Sequence, residues 1–342
     1  MLWYLVKRLL LLAGATLFVI LLVSYLMLRL APGDPARSDL FLADAGAGDL
    51  NTEKGAFAGN RAIREKLHLD QPILIGFGYW FGDIVRHGDF GTSAVVDPGR
   101  PVTALIGERL PVTLSLNLWS VFLTYLLAIV IGVWAAVHAD GWFDRTTAFG
   151  LFLLYSLPVM WVGLLLQALC CEGGWLPIFP LKGLAPPDDG RLSTWARLAE
   201  QAKYYVLPVL CLTYHGLAGL SRYARGSMLE VIHCEYIRTA RAKGVPEYRV
   251  IWEHAFRNAL ITLITLFGGL LPGLVAGSVL IECIFNIPGM GALSLLALSS
   301  RDYPLVMALF AFSGALTLLG VLIADLLYLA ADPRITLIGK RT

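Results

Sequence analysis

The chain has 342 residues, of which 57% are hydrophobic and only 15% are charged, and its formal net charge is +2. Soluble domains carry about 25% charged residues, so this composition excludes a soluble globular protein and indicates an integral membrane protein. The small net charge gives no reason to expect a polyanionic partner, since nucleic-acid binding requires concentrated positive charge. We therefore expect the lipid bilayer among the partners of this chain and no nucleic acid.

Several stretches of the sequence lack Asp, Glu, Lys and Arg and are long enough to cross a membrane. A helix needs about 20 residues to span a hydrocarbon core of about 30 Å. The pattern predicts an all-α integral membrane fold with six transmembrane helices. These would lie within residues 9–28, 110–139, 146–171, 204–221, 258–281 and 303–324.

The distribution of Lys and Arg predicts the orientation of these helices. With the amino terminus inside, the inner segments hold 13 Lys and Arg in 68 residues, and the outer segments hold 14 in 134. Cytoplasmic loops carry the excess of positive charge, so both termini are expected in the cytoplasm. The first apolar stretch is longer than the core of a signal peptide and lacks a clear cleavage site, so we interpret it as a retained helix.

The predicted loops divide the chain into two parts. Residues 29–109 form an outer segment of about 80 residues, and such a length predicts a small extracytoplasmic subdomain between the first two spans. We therefore separate residues 1–109, the first span plus this segment, from residues 110–342, a core of five helices. The core contains a charged cytosolic loop at residues 222–257.

This cytosolic loop contains the most informative stretch of the chain. Good helix formers run up to Gly244, which suits the left-handed position after a helix, and Pro246 can start a second helix. The pattern predicts a short helix, a sharp turn and a second helix, and it indicates a docking site for another protein. The candidate docking residues are Arg238, Thr239, Ala240, Arg241, Ala242, Lys243 and Gly244.

The predicted outer segment at residues 282–302 contains candidates for a translocation path or gate. A turn followed by a short interfacial or re-entrant helix over residues 292–298 fits its composition. Glu282 lies at the outer end of the fifth span, where two interpretations remain open: a structural pairing or capping role near the turn, or a gate. The candidates are Glu282, Asn286, Pro288, Gly289 and Gly291.

Gly269, Gly273 and Gly277 recur at four-residue spacing in the fifth span. Such spacing clears one helix face for the close approach of another helix, within the subunit or in a second one. The alternative is that they are ordinary small residues of a membrane helix.

The sequence shows no recognisable catalytic motif. It has no nucleotide-binding GxxxxGK[ST] loop, no HExxH pair and no GxSxG elbow, so we expect no catalytic residues, no metal site and no cofactor bound by this chain. A membrane-embedded enzyme would require a His or Asp pair facing a shared cavity. An ion-driven secondary transporter would require interrupted helices with acidic residues near the midplane.

Taken together, a series of short motifs resembles the permease subunits of bacterial peptide-uptake ABC importers, the dipeptide and oligopeptide class of the binding-protein-dependent transport family. The resemblance runs along nearly the whole chain, and the FPLKGL and DPRI segments are most like the microcin C and oligopeptide subgroup of Yej type. The motifs are KRLL (7–10), RLAPGDP (29–35), LHLDQP (67–72), GDFGTS (88–93), SLP (156–158), YIRTARAKG (236–244), HAFRNAL (254–260), NIPGMG (286–291) and ADPRI (331–335).

The resemblance implies a type I ABC importer permease fold in the bacterial inner membrane. It also implies a second homologous permease, an extracytoplasmic peptide-binding protein and two ATP-binding subunits, which would use ATP and Mg²⁺. The cytosolic stretch resembles the EAA loop, whose coupling helix docks on the ATPase. Arg238 replaces the acidic residue of that loop, whereas Ala240 and Gly244 match it. Permeases of sister importers for nickel or glutathione share most of these motifs.

Overall fold

The computed structural model describes residues 14–30, 70–171, 173–181, 183–184, 194–276 and 278–331. Within these ranges the regular structure is helical, and the only β pairing is two isolated bridges. This confirms the all-α prediction for the described residues. The helices are α1 (Gly14–Leu30), α2 (Ile73–His87), α3 (Val102–Val137), α4 (Trp142–Ser156), α5 (Val159–Cys170), α6 (Thr194–Ile232), α7 (Glu235–Ala242), α8 (Glu247–Arg249), a π-helix (Val250–Phe256), α9 (Arg257–Ala276), α10 (Val279–Ile284), α11 (Met290–Ser299) and α12 (Tyr303–Ala331).

Two of the described helices are long and apolar enough to cross a membrane, namely α3 and the part Tyr303–Ile323 of α12. The bent pair of α4 and α5 would make a third span. The predicted count of six spans remains a prediction, as does the extracytoplasmic subdomain. The predicted short helix after the NIPGMG turn is confirmed as α11.

The third predicted span, residues 146–171, is not a straight helix. It is divided into α4 and α5, which meet at an angle of 92°. Pro158 precedes α5 and Leu157 has extended backbone angles, because a proline cannot donate a backbone hydrogen bond and excludes helical angles from the residue before it. The fifth predicted span is also interrupted, since α9 ends at Ala276 and Ser278 is extended before α10 begins.

The described residues form two compact units, each with its own apolar core. The first comprises Met1–Val112 and Gly289–Leu318. One of its clusters joins the start of α3 to α11 and α12, through Ile106, Leu293 and Leu305. A second cluster packs α2 on α1 and α12, with Tyr25 and Trp80 buried at its centre.

The buried carboxylate of Asp302 holds the loop that follows α2 in the first unit. Asp302 is fully buried, and its side chain accepts a hydrogen bond from the Ser93 hydroxyl. The backbone N–H groups of Ala94, Val95 and Val96 also donate to it, at 3.0–3.1 Å. The carboxylate therefore holds the loop that follows α2 against the residue that precedes α12.

The second unit comprises Thr113–Pro288 and Leu319–Thr342. Its core forms where α3 and α6 come very close together. A Cβ atom added at Gly132 would lie 2.6 Å from the Cβ of Ala224 and 2.8 Å from the carbonyl oxygen of Ser221. Only glycine at position 132 allows this separation of the two helices.

A bidentate ion pair joins α4 to α6 in the same unit. Arg225 donates from Nε and Nη2 to the two carboxylate oxygens of Asp144, each at 2.6 Å. Asp144 is buried and also accepts a hydrogen bond from the N–H of Asp140. The hydrogen bonds from the Arg225 guanidinium lower the pKa of Asp144 from its ordinary value. The pair thus stays charged throughout the neutral range.

We expect Gly132→Ala to destabilise the protein by about 1–3 kcal/mol, because the added methyl group overlaps backbone atoms that cannot rotate away. Gly107→Ala is the matched control on the same helix, since a Cβ there meets nothing within 4 Å. Thermal unfolding in detergent measures the stability of both variants. Equal melting temperatures for the two variants would contradict the close approach of α3 and α6.

We expect Asp302→Asn to cost about 1–3 kcal/mol, because the amide replaces an acceptor oxygen and leaves buried N–H groups without a partner. Asp97→Asn is the control: it lies in the same loop, and its side chain, 47% exposed, forms an ion pair with Arg100. The comparison uses melting temperature together with protease resistance of the loop at residues 93–101. An unchanged melting temperature in Asp302→Asn would contradict the role of Asp302 in holding this loop.

Candidate functional site

The predicted docking stretch folds as a helical hairpin, which we define as residues 235–249. Helix α7 begins after Cys234, whose backbone is extended, and ends before Gly244, whose φ is +76°. The Gly244 N–H donates to the carbonyl of Arg241, and the Val245 N–H donates to that of Ala240. This pair of hydrogen bonds is a Schellman cap, which requires a left-handed residue. The predicted helix, turn at Gly244 and second helix are confirmed.

One side of α7 is anchored in the core of the second unit. Ile237 is fully buried and belongs to a cluster with Val133 of α3 and Met228 of α6. Ala240 is partly buried against the same cluster. A movement of α7 would therefore push directly on side chains of α3 and α6.

The opposite side of the hairpin is exposed. Six of the seven predicted docking residues point away from the core, whereas Ala240 faces it. A Cβ added at Gly244 meets nothing within 4 Å, so the tip of the hairpin is open. The exposed residues are Arg238, Thr239, Arg241, Ala242, Lys243 and Gly244.

An ion pair connects the two arms of the hairpin. Arg241 in α7 donates to both carboxylate oxygens of Glu247 in α8, at 2.7 and 3.2 Å. These hydrogen bonds lower the pKa of Glu247 and raise that of Arg241. Because the pair is exposed, it contributes at most about 1 kcal/mol to stability. Its main effect is to hold the turn in one conformation.

The hairpin continues into α9 without a loop. Helix α8 leads directly into the π-helix Val250–Phe256 and then into α9. The π-helix places Val250 and Ala255 in the same buried cluster as Ile237. The Nδ2 group of Asn258 donates to the hydroxyl of Tyr236, at 2.8 Å, and so joins the start of α7 to α9. Single π-turns commonly occur at functional sites.

The gate candidates lie around a second capped helix end. Glu282 in α10 is only 2% exposed and accepts a hydrogen bond from the hydroxyl of Thr113, at 3.0 Å. Asn286 has a φ of +50°, and the Ile287 N–H donates to the carbonyl of Glu282, which is again a Schellman pattern. This geometry favours the structural interpretation of Glu282, because its side chain is already engaged within the chain.

The remaining gate candidates flank the start of α11. Pro288 is exposed, Gly289 precedes the helix and is buried, and Gly291 is buried in its first turn. Asn286 and Pro288 belong to the second unit, whereas Gly289 and Gly291 belong to the first.

The glycine spacing of α9 predicts a close helix contact within the subunit or with a second one, and this stays a prediction. A Cβ added at Gly273 meets no atom of the described chain within 4 Å, and Gly273 is exposed. Gly269 lies in the helix, but its surroundings are outside the described residues, as is Gly277. Among the described residues a close helix contact occurs at Gly132 of α3, which Ala128 and Ala136 flank at four-residue spacing. This small-residue pattern is the signal that could have identified the contact.

Among the described residues, no three His, Cys, Asp or Glu side chains are grouped to hold a metal ion.

Comparisons with known proteins agree with this architecture. A family model described as "binding-protein-dependent transport system inner membrane component" matches residues 128–337, which include the whole hairpin. The oligopeptide transport system permease protein AppB of Bacillus subtilis is 37% identical over 97% of this chain and 98% of its own length.

Two further relatives have similar names. A putative peptide transport system permease protein of Brucella abortus is 38% identical over 93% of this chain and 94% of that protein. The oligopeptide transport system permease protein OppB of Mycobacterium bovis is 37% identical over 79% of this chain and 82% of its own length. With a family match over more than half of its residues and relatives of this identity along nearly its full length, the chain belongs to the family of binding-protein-dependent transport system inner membrane components.

Proposed function

We propose that this chain is the membrane-spanning permease subunit of an ATP-driven importer that carries peptides into the bacterial cytoplasm. The observation that carries the proposal is the agreement among relatives named as peptide or oligopeptide permeases, which match almost the entire chain. The exposed, capped hairpin supports it, since a transport subunit driven by ATP needs a surface that receives force from its ATPase.

The proposed complex contains two permeases, this chain and a homologous second one. Two ATP-binding subunits would dock on the cytosolic hairpins, and an extracytoplasmic binding protein would deliver the peptide. ATP and Mg²⁺ would be bound and used by the ATPase subunits. The face formed by Gly269, Gly273 and Gly277, which is open at Gly273, would then pack against the second permease.

The hairpin would act as a lever between the ATPase and the membrane helices. The exposed residues Arg238, Thr239, Arg241, Ala242, Lys243 and Gly244 would contact the ATPase, and Ala240 would support the helix from below. Closure of the ATPase pair would displace α7, and the buried side chain of Ile237 would transmit the displacement to α3 and α6. Such coupling requires that the hairpin bind the two ATPase states with different affinity.

We propose that the translocation path runs between the two permeases. The outer end of this path would be bounded by Glu282, Asn286, Pro288, Gly289 and Gly291. Glu282 would act indirectly, by holding helix α10 in place. The bond from Thr113 restrains this helix against α3, so a peptide would meet the exposed Pro288 rather than the carboxylate.

The proposed topology has six spans with both termini in the cytoplasm. It predicts that, in a background without native cysteines, His87→Cys reacts with a membrane-impermeant maleimide in spheroplasts and Trp142→Cys does not. In inverted membrane vesicles the pattern should reverse. Both positions are exposed in the structure, so poor accessibility of the side chain does not confuse the result. Labelling of both positions from the same side would overturn the arrangement.

We expect Gly244→Trp to abolish binding of the ATPase subunit. Any side chain at position 244 incurs a cost of about 1–2 kcal/mol for the positive φ, but only a large one also fills the space above the open tip. Gly244→Ala is therefore the matched control, with the same backbone cost and little added volume. Affinity purification of the tagged chain in mild detergent, followed by mass spectrometry, measures the co-purifying ATPase.

The expected result is recovery of an ATP-binding subunit with the wild type and with Gly244→Ala, and its loss with Gly244→Trp. Retained assembly and peptide-stimulated ATPase activity in Gly244→Trp would count strongly against the docking site. A chain that transports peptide while purifying alone would instead identify an ion-driven carrier. Transport of nickel or glutathione, without transport of peptides, would identify one of the sister importers.

A further inference from the structure

A basic cavity of the second unit lies apart from the hairpin and from the gate candidates. It is open on one side, has a volume of about 950 Å³ and is formed between α4 and α6. Arginine and aromatic side chains from both helices line it. The residues that determine its chemistry are Arg145, Phe152, Tyr155, Arg222, Tyr223 and Arg225.

The cavity has an excess of positive charge. Three arginines and one aspartate line it, and the aspartate, Asp144, is occupied by its bidentate pair with Arg225. Arg145 and Arg222 are exposed and form no ion pair within 4.0 Å in the described part of the chain. Two guanidinium groups, one from each helix, are therefore available for an anionic ligand. Guanidinium groups match the oxygen geometry of phosphate particularly well.

The position of the cavity indicates what kind of anion would enter it. Arg145 and Arg222 lie in the segments predicted on the cytoplasmic side, at the boundary of the third and fourth apolar stretches. Next to them, α4 presents an exposed apolar surface through Trp142, Phe149 and Phe152. A soluble anion would gain nothing from such a surface, whereas an amphipathic ligand would bury its acyl chains there. Basic pockets between helices on the cytoplasmic side are typical sites for anionic lipid headgroups.

We propose that this cavity binds the phosphate headgroup of an anionic phospholipid from the cytoplasmic leaflet. The phosphate would bridge Arg145 and Arg222, and the acyl chains would lie along Phe149 and Phe152. The bound lipid would hold α4 against α6 beside the pair of Asp144 and Arg225. Helix α6 continues for seven residues beyond Arg225 and then leads into the hairpin. The lipid would therefore stabilise the part of α6 from which the hairpin starts. The proposal uses the membrane orientation given under the proposed function.

The test compares lipid binding by the complete, purified importer. We expect the double variant Arg145→Gln/Arg222→Gln to bind phosphatidylglycerol about 30-fold more weakly, since each arginine near a membrane surface contributes about fivefold to the affinity for anionic lipid. The control is Arg86→Gln/Arg257→Gln, which removes the same charge from exposed positions outside both the cavity and the hairpin. Asp144 and Arg225 stay unchanged in both variants, so the ion pair between α4 and α6 is preserved.

Native mass spectrometry of the delipidated complex, titrated with short-chain phosphatidylglycerol or phosphatidylcholine, gives the affinities. The proposal is supported if the wild type and the control prefer phosphatidylglycerol by the same factor while the cavity variant loses this preference. It is overturned if the cavity variant matches the control. It is also overturned if inorganic phosphate binds as tightly as the lipid, or if a model peptide occupies the cavity in a membrane of phosphatidylcholine alone.

The same spectra separate this inference from the proposed function, because they report the subunits of each complex. An intact complex without a lipid preference would refute only the lipid site. A chain that never carries an ATPase subunit would refute the importer assignment, whatever lipid it retains.

Discussion

The second unit depends on the meeting of α3, α4 and α6 around Arg225. Gly132 lets α3 approach to within contact of the α6 backbone, and one turn of α6 there supplies both Ala224 and Arg225. Arg225 then reaches the buried carboxylate of Asp144 on the first turn of α4. Removing Arg225 would leave the buried carboxylate of Asp144 without its charged partner, which is destabilising, whereas the Arg225 side chain is 33% exposed and could remain hydrated without Asp144. This contact also determines the direction in which α6 leads to the hairpin, because the helix continues unbroken from Arg225 to Ile232.

The hairpin has a capped turn and joins α9 through a π-helix. Its turn is held by the cap at Gly244, and the exposed pair of Arg241 and Glu247 adds to this. Between this turn and α9 lies the π-helix Val250–Phe256, whose hydrogen-bond pattern differs from that of the helices on either side. Under the proposed function, a displacement of the hairpin would reach α9 through this segment.

Much of this architecture could be predicted from sequence, because it follows from local chemistry. The hairpin required only helix formers, a glycine at position 244 and a proline at 246. The bend between α4 and α5 was not predicted, since residues 146–171 were assigned to one span, although Pro158 carries a local signal for it. The contacts of Asp302 and Asp144 could not be predicted, because each joins residues far apart in the chain. Residues 93 and 302 are 209 positions apart, and residues 144 and 225 are 81 apart. A lone aspartate carries no signal of the partner that will bury it.

The glycines also show that sequence alone does not identify which helices pack together. A regular spacing at 269, 273 and 277 predicts a surface suited to close packing, but the spacing is a property of one helix and does not identify the second. Gly132 lies between Ala128 and Ala136 in a similar small-residue spacing, and it does allow a close approach of α3 and α6, where the small residue on the partner helix is Ala224. The open face at Gly273 is therefore informative because nothing in the described chain fills it. Helices in a membrane gain little from apolar burial and associate through close packing, so the contact at Gly132 contributes to the association of α3 and α6.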